Sequence, residues 1–186
     1  LWSVQAIEIW AFHEAFGDII AILSILHNDL IIKNLINVDL RKSNVVSRLA
    51  EQMGNAIYDL DMQDGISNGY SPTALRDATI RFDYIDPIKL PKKAKANELS
   101  AESHNFSRVF SSAWYEIFCS IYDFEKFKGK SVTAAIIAAR DMSCDILLSA
   151  IPLMPRQVKF FNGAAKAMIS TAKLKDPPKP MVLGVS

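Results

Sequence analysis

Residues 7–26 read IEIWAFHEAFGDIIAILSIL, and this stretch decides the fold class. Small and apolar side chains recur along it at steps of three and four, the period of a helix that buries one face. His13, Glu14 and Asp18 interrupt the apolar run, whereas a membrane-spanning helix needs roughly 20 consecutive apolar residues. We therefore predict a long buried helix over residues 1–27 and no membrane span.

The same helical period of apolar residues recurs in several later segments, and turn-forming residues lie between them. We predict further helices at about 30–38, 43–58, 100–123, 131–150 and 156–174, with Ser131 as an N-cap. The second of these has an apolar stripe that consists of Val46, Leu49, Ala50, Met53 and Ile57. Turn dipeptides predict an irregular loop at about 59–72, one or two helical turns at 73–79 and a second irregular loop at about 80–100. Trp10 and Trp114 are predicted core residues.

No strand pattern competes with these helices, so the sequence predicts an all-α protein. We expect a single helical domain over residues 1–174, followed by an extended Pro-rich tail over 175–186. The first residue is Leu1 rather than Met, and we expect the chain to begin inside a larger polypeptide.

Composition narrows the possible functions. The 186 residues include 21 Lys or Arg and 20 Asp or Glu, a net charge of +1. This balance argues against a basic nucleic-acid-binding protein and against an acidic disordered tail. Two cysteines, Cys119 and Cys144, do not form a disulfide framework, and sequence leaves open whether they pair. No signal peptide is recognisable, so the compartment stays unassigned.

Glu14 and Asp18 are the most unusual residues of the first helix. They lie four residues apart, on the same face of an otherwise apolar segment. Like charges at this spacing destabilise a helix slightly, and burying them unpaired costs several kcal/mol, on the order of 2–7. A solvated edge, an arginine partner or a bound metal ion can each offset this cost.

The Glu14-x-x-x-Asp18 pattern on an apolar helix resembles the Glu-x-x-x-Asp helix of the thermolysin-like gluzincin metallopeptidases. The string from His13 to Ile19 is also similar to that helix in uncharacterised bacterial relatives. The resemblance implies that Glu14 is a zinc ligand and that Asp18 orients one of two histidine ligands. Those histidines belong to a His-Glu-x-x-His helix, which we expect in a missing N-terminal half.

Two further segments strengthen the resemblance. Ala74 to Asp77 is similar to the family segment whose arginine binds a substrate carbonyl, which gives that role to Arg76. Glu102 to Ser107 resembles the family's helix start, where a histidine donates a hydrogen bond to the tetrahedral oxyanion, and this role falls to His104. The implied fold is a multi-helix orthogonal bundle like the C-terminal lobe of these peptidases.

The chain departs from the family at three points. It lacks the His-Glu-x-x-His motif, and the stretch at about 28–70 indicates an insertion. Leu99 stands where the family has an acidic partner for its histidine, and Glu98 or Glu102 is the substitute. The sequence contains no cluster of acidic residues like the calcium sites of the family, so we expect no bound calcium.

From these matches we expect the C-terminal lobe of a zinc-dependent metalloendopeptidase that acts on peptides or proteins, with zinc as the cofactor of the complete protein. One carboxylate cannot hold the ion, so this chain alone is expected to bind no zinc tightly and to be inactive. The alternative is a non-catalytic helical scaffold or protein-interaction module, which includes a degenerate peptidase fold.

Overall fold

The computed structural model of the chain describes residues 7–65 and 74–175. Within these residues there are six α-helices: α1 Ile7–Ile25, α2 Asp29–Asn34, α3 Glu51–Gln63, α4 Ser103–Phe127, α5 Val132–Ala150 and α6 Phe160–Leu174. Two strands of two residues each, β1 (Arg48–Leu49) and β2 (Arg76–Asp77), and two 3₁₀ turns, Pro87–Lys89 and Ile151–Leu153, complete the elements. The predicted all-α class is confirmed. The Pro-rich tail lies outside the described residues, apart from Lys175.

The chain divides into two compact units, Leu1–Tyr115 and Glu116–Ser186, with the boundary inside α4. The single-domain prediction for residues 1–174 stays a prediction. Both cysteines belong to the second unit, and both are free thiols, with Cys119 buried and Cys144 half-buried. None of the helices in the described ranges combines the length and hydropathy that a membrane span requires.

The first unit is built around α1, whose small and branched residues form its fully buried side. Ala11, Ala15, Ile19 and Ile22 are all inaccessible to solvent. The start of α4 supplies aromatic side chains to the same core, and Phe12 meets Phe110 edge-on at a ring separation of 5.0 Å. Trp114 is buried as predicted, whereas Trp10 is 62% exposed, so its predicted place in the core is wrong.

The predicted helix over 43–58 is wrong in its first half. Asn44 is buried, and its Oδ1 accepts hydrogen bonds from the backbone N–H groups of Val46 and Ser47. Its Nδ2 donates to the hydroxyl of Tyr115 at 3.0 Å. Such local side-chain bonds give the backbone an alternative to helix, so the chain turns here and α3 begins only at Glu51.

Three other predictions for the segment at 43–79 differ from the structure. The helix α3 continues to Gln63, so the start of the predicted loop at 59–72 is helical, and residues 66–73 lie outside the described part. The predicted helical turns at 73–79 are instead β2, which pairs antiparallel with β1. Met53 of the predicted apolar stripe is 56% exposed because α3 turns Gly54, not Met53, inward. The loop at 80–100 is irregular as predicted, with one 3₁₀ turn.

The second unit consists of the end of α4 together with α5 and α6. Ser131 caps α5 as predicted, since its hydroxyl accepts a hydrogen bond from the Ala134 N–H. The helices α5 and α6 pack against each other through small residues, among them Ala139, Ala150 and Ala164, which are all fully buried. The last helix begins at Phe160, four residues later than predicted.

Candidate functional site

The candidate site begins on α1, where Glu14 and Asp18 lie one helical turn apart. Asp18 is buried at 6% exposure, whereas the side chain of Glu14 is 37% exposed. The two carboxylates therefore differ in environment although they share a face of the helix. Asp18 requires a partner within the protein, and Glu14 remains accessible to water, a cation or a ligand.

Arg76 is the partner of Asp18. Its Nε donates to Oδ2 at 2.9 Å and its Nη2 to Oδ1 at 2.6 Å, a bidentate pair in which both side chains are nearly buried. Planar pairing of this kind is the strongest way to match a guanidinium with a carboxylate. Of the three ways to offset the cost of a buried Asp18, the structure shows the arginine. The hydrogens on Nη1 of Arg76 remain for other acceptors.

The backbone around Arg76 is fixed by the short sheet. Leu49 pairs with Arg76, and the Leu75 N–H donates to the Leu49 carbonyl at 3.1 Å. On the other side, α3 presses against the same segment, because a Cβ at Gly54 would lie 2.2 Å from the carbonyl carbon of Ala74. Only glycine permits this approach, so Gly54 sets how closely α3 passes the strand that carries Arg76.

His104 is the second residue of α4 and lies between two carboxylates. Its Nδ1 is 2.7 Å from Oε1 of Glu102, and its Nε2 is 3.3 Å from Oε2 of Glu14. A carboxylate can only accept hydrogen bonds when ionised, so the ring must carry a hydrogen on Nδ1. The imidazole is 59% exposed, which leaves it in reach of a ligand beside Glu14.

Glu102 also caps α4. Its Oε1 accepts from the His104 N–H at 3.1 Å and its Oε2 from the Asn105 N–H at 2.9 Å. Partial burial acts to raise the pKa of Glu102, but the hydrogen bonds from the His104 ring and from these two backbone groups outweigh it and lower the pKa. Of the two acidic residues that the sequence offered near His104, Glu102 is therefore the one that contacts the ring.

Glu98 stabilises the same loop through its backbone carbonyl rather than through its side chain. Its backbone carbonyl accepts from Asn105 Nδ2 at 3.1 Å and from Arg108 Nη2 at 2.6 Å. These bonds fix the chain that enters α4 and hence the position of His104 at its first turn. No local pattern in the sequence predicts these bonds, because each one depends on how the loop folds back.

A second buried acid on α1 was missed by the sequence reasoning. Glu8 is 3% exposed, and its Oε1 accepts a hydrogen bond from the Tyr84 hydroxyl at 2.7 Å. Burial and this carboxylate raise the pKa of Tyr84 well above its usual range, so the phenol stays protonated as the donor. The two residues are 76 positions apart, so no local pattern predicts the contact.

The residues taken from the family resemblance thus meet in two pairs. Glu14 contacts His104 and Asp18 contacts Arg76, with the two acids one turn apart on α1. Comparison with known protein families, curated proteins and solved structures found no match. The roles of the four residues therefore stay predictions.

The side chains at this site can supply only some of the ligands that a metal centre needs. Within residues 7–65 and 74–175, no three His, Cys, Asp or Glu side chains form a group that can hold a metal ion. Glu14 presents a half-exposed carboxylate, a ligand that zinc accepts, and one such ligand fits a three-ligand catalytic site that takes its remaining ligands from elsewhere. Asp18 is committed to Arg76. The site thus fits zinc only as one shared with other residues.

Proposed function

We propose that this chain is the C-terminal lobe of a zinc-dependent metalloendopeptidase, and that a preceding segment with a His-Glu-x-x-His helix supplies the other metal ligands. The likeness of its helices to the C-terminal lobe of thermolysin-like peptidases belongs to the same proposal. One observation carries it: four polar residues from three distant segments meet around one face of α1, at Glu14–His104 and Asp18–Arg76.

In this proposal Glu14 holds the metal. Zinc, when bound, lowers the pKa of its water and polarises the scissile carbonyl. The 3.3 Å contact between Glu14 and the His104 Nε2 is long for a charged hydrogen bond, so it is readily exchanged. With Glu14 engaged by a metal ion, the Nε2 of His104 would be free of that carboxylate and would be able to donate to a developing oxyanion.

Glu102 and Asp18 act as positioning residues in the same scheme. Donation from Nε2 requires a hydrogen on both ring nitrogens of His104, so Glu102 would balance the charge of that doubly protonated ring and fix its orientation. Asp18 holds the Arg76 guanidinium by Nε and Nη2, which leaves Nη1 as the proposed donor to a substrate carbonyl. Each oxygen of Asp18 retains a lone pair that can also accept from a histidine ligand.

A second candidate function, a non-catalytic helical scaffold, is favoured by the same Asp18–Arg76 pair. The two charges satisfy each other in a bidentate pair, so the buried Asp18 needs no metal ion to offset its burial. In this alternative the four residues only join α1 to β2 and α4.

The test uses the protein expressed from the complete gene, with zinc content measured by elemental analysis and peptide cleavage measured in parallel. The proposal expects about one zinc per chain and loss of both zinc and cleavage in Glu14→Gln. Glu98→Gln is the matched control, because its side chain is exposed and its hydrogen bonds at the start of α4 are made by the backbone carbonyl. A zinc-free natural protein favours the scaffold, and zinc retained in Glu14→Gln removes Glu14 from the site.

A further inference from the structure

The loop over residues 82–98 is held firmly at both ends although it lacks regular structure. Phe82 lies under the guanidinium of Arg108 at 4.2 Å, and Arg108 also donates to the carbonyls of Ala96 and Glu98. The hydrogen bond from Tyr84 to Glu8 adds an anchor to the core of the first unit. The loop is therefore a fixed projection with a defined surface.

That projection presents apolar and basic side chains to solvent. Asp86 caps the 3₁₀ turn Pro87–Lys89 and Pro87 is buried beneath it, so Ile88 points outward and is 73% exposed. The stretch at 87–97 holds four lysines and no acidic residue, and all four are exposed: Lys89, Lys92, Lys93 and Lys95. We name this set, with Ile88, the basic loop. Ile88 thus places an exposed apolar side chain beside a run of exposed lysines.

A surface of opposite charge lies elsewhere in the same unit. Between Arg48 and Arg76 the sequence has four acidic residues and no lysine or arginine. Two of these acids, Asp59 and Asp64, are exposed on α3 and at its end. Beside them, Met53, Ala56 and Leu60 form an exposed row at steps of three and four, with Met53 at 56% and Leu60 at 59% exposure.

The row continues into a groove. An open groove of about 830 Å³ has Met53 as one wall and half-buried Ile25, Ile31 and Val45 as its apolar lining. A methionine adapts its shape easily and suits a surface that receives another side chain. We name the groove, the α3 row and Asp59 and Asp64 together the acidic face.

We propose that the acidic face of one copy of this chain binds the basic loop of a second copy. The two surfaces are opposite in the sign of their exposed charges, four lysines against Asp59 and Asp64, and each combines its charges with exposed apolar side chains. In one copy Ile88, Met53 and Leu60 are all exposed, so the loop does not cover the face of its own chain. Under twofold symmetry the contact is made twice, which doubles the buried area. This inference does not depend on the proposed peptidase function.

Charge reversal at both surfaces tests the proposal by sedimentation equilibrium of the full chain. We expect a reversible dimer at low ionic strength that weakens as salt rises, since exposed charges are screened over about 3 Å at 1 M salt. Lys92→Glu/Lys93→Glu alone and Asp59→Lys/Asp64→Lys alone should each weaken the dimer at least about tenfold. In a mixture of the two variants, both contacts of the mixed dimer are matched, one with native and one with reversed charges, so association is recovered.

A matched control reverses two exposed lysines of the second unit, Lys166→Glu/Lys173→Glu, and should leave the dimer unchanged. Ile88→Ser removes the apolar part of the contact at a solvent-exposed position, so it weakens the dimer without unfolding the chain. Circular dichroism of each variant checks folding. A chain that is monomeric at low salt overturns the proposal, as does a dimer that is indifferent to both charge reversals.

Discussion

The Nδ1 atom of His104 lies 2.7 Å from Oε1 of Glu102, and the same carboxylate caps the helix on which His104 stands. Glu102 thus fixes the backbone and the ring of His104 together. Because Glu102 precedes His104 by only two residues, the orientation of the imidazole is set within the first turn of α4.

Glu102→Gln should loosen this arrangement. The amide is uncharged, and it caps the helix more weakly, so we expect a loss of about 1 kcal/mol in the free energy of unfolding. Nitrogen NMR of the His104 ring should show a less strongly fixed hydrogen on Nδ1. Glu98→Gln serves as the control with little change in either quantity. An unaltered His104 spectrum in Glu102→Gln would contradict the assigned contact.

Arg76→Ala should be severely destabilising because it leaves the Asp18 carboxylate buried without its guanidinium. We expect a loss of about 3–5 kcal/mol by urea denaturation. Arg48→Ala is the matched control, since its pair with Glu51 is far more exposed and is worth roughly 0–1 kcal/mol. Arg76→Lys should fall between the two, because an ammonium cannot reproduce the bidentate geometry. Equal losses in Arg76→Ala and Arg48→Ala would exclude Asp18–Arg76 as a structural anchor.

Two glycines in helices should respond to alanine with opposite signs. Gly54→Ala introduces a Cβ 2.2 Å from the backbone of Ala74, and we expect a loss of about 1–3 kcal/mol. Gly17 has open space around its Cα inside α1, so Gly17→Ala should stabilise the chain by about 0.5–1 kcal/mol. Thermal unfolding of the two variants side by side measures the difference. A neutral Gly54→Ala would mean that α3 can move away from the strand.

Acid should weaken the second unit in part through Glu125. Hydrogen bonding from Lys130 at 2.5 Å lowers the pKa of this buried carboxyl, and Lys128 at 3.0 Å adds to the effect, while burial opposes it. Since the folded pKa lies below the usual 4.5, the stabilisation is complete above pH 4.5 and is lost as the pH falls through the folded value. Glu125→Gln should flatten the decline in melting temperature between about pH 5 and 3. If the melting temperature of Glu125→Gln falls with pH as it does in the natural chain, other titrating groups cause the decline.

Much of the fold follows from local patterns in the sequence. The period of the apolar residues predicts α1, and the serine at position 131 predicts the start of α5, because both signals act within a few residues. The segment at 43–50 is not helical because Asn44 makes local side-chain bonds to the backbone, and the Tyr115 contact that holds Asn44 in place crosses 71 positions and leaves no local signal. Likewise β2 forms only because β1 supplies its partner, and a strand of two residues leaves no periodic trace.

The candidate site, like the fold, has features that the local sequence predicts and others that depend on long-range contacts. The cost of placing Glu14 and Asp18 on an apolar helix was evident from their spacing, and an arginine was one of the solutions open to Asp18. That Arg76 is this arginine depends on a contact across 58 positions, which the residues alone do not specify. The resemblance named the four residues, and their chemical roles stay predictions.

The absence of a side chain at Gly54 has a consequence for how this protein can change over time. At this point α3 meets the main chain of Ala74 directly, with no side chain between them. Mutations on the outer surface of α3 therefore leave the guanidinium where it is. The helix is free to acquire new binding preferences by ordinary sequence drift, while the pair beneath it keeps its geometry.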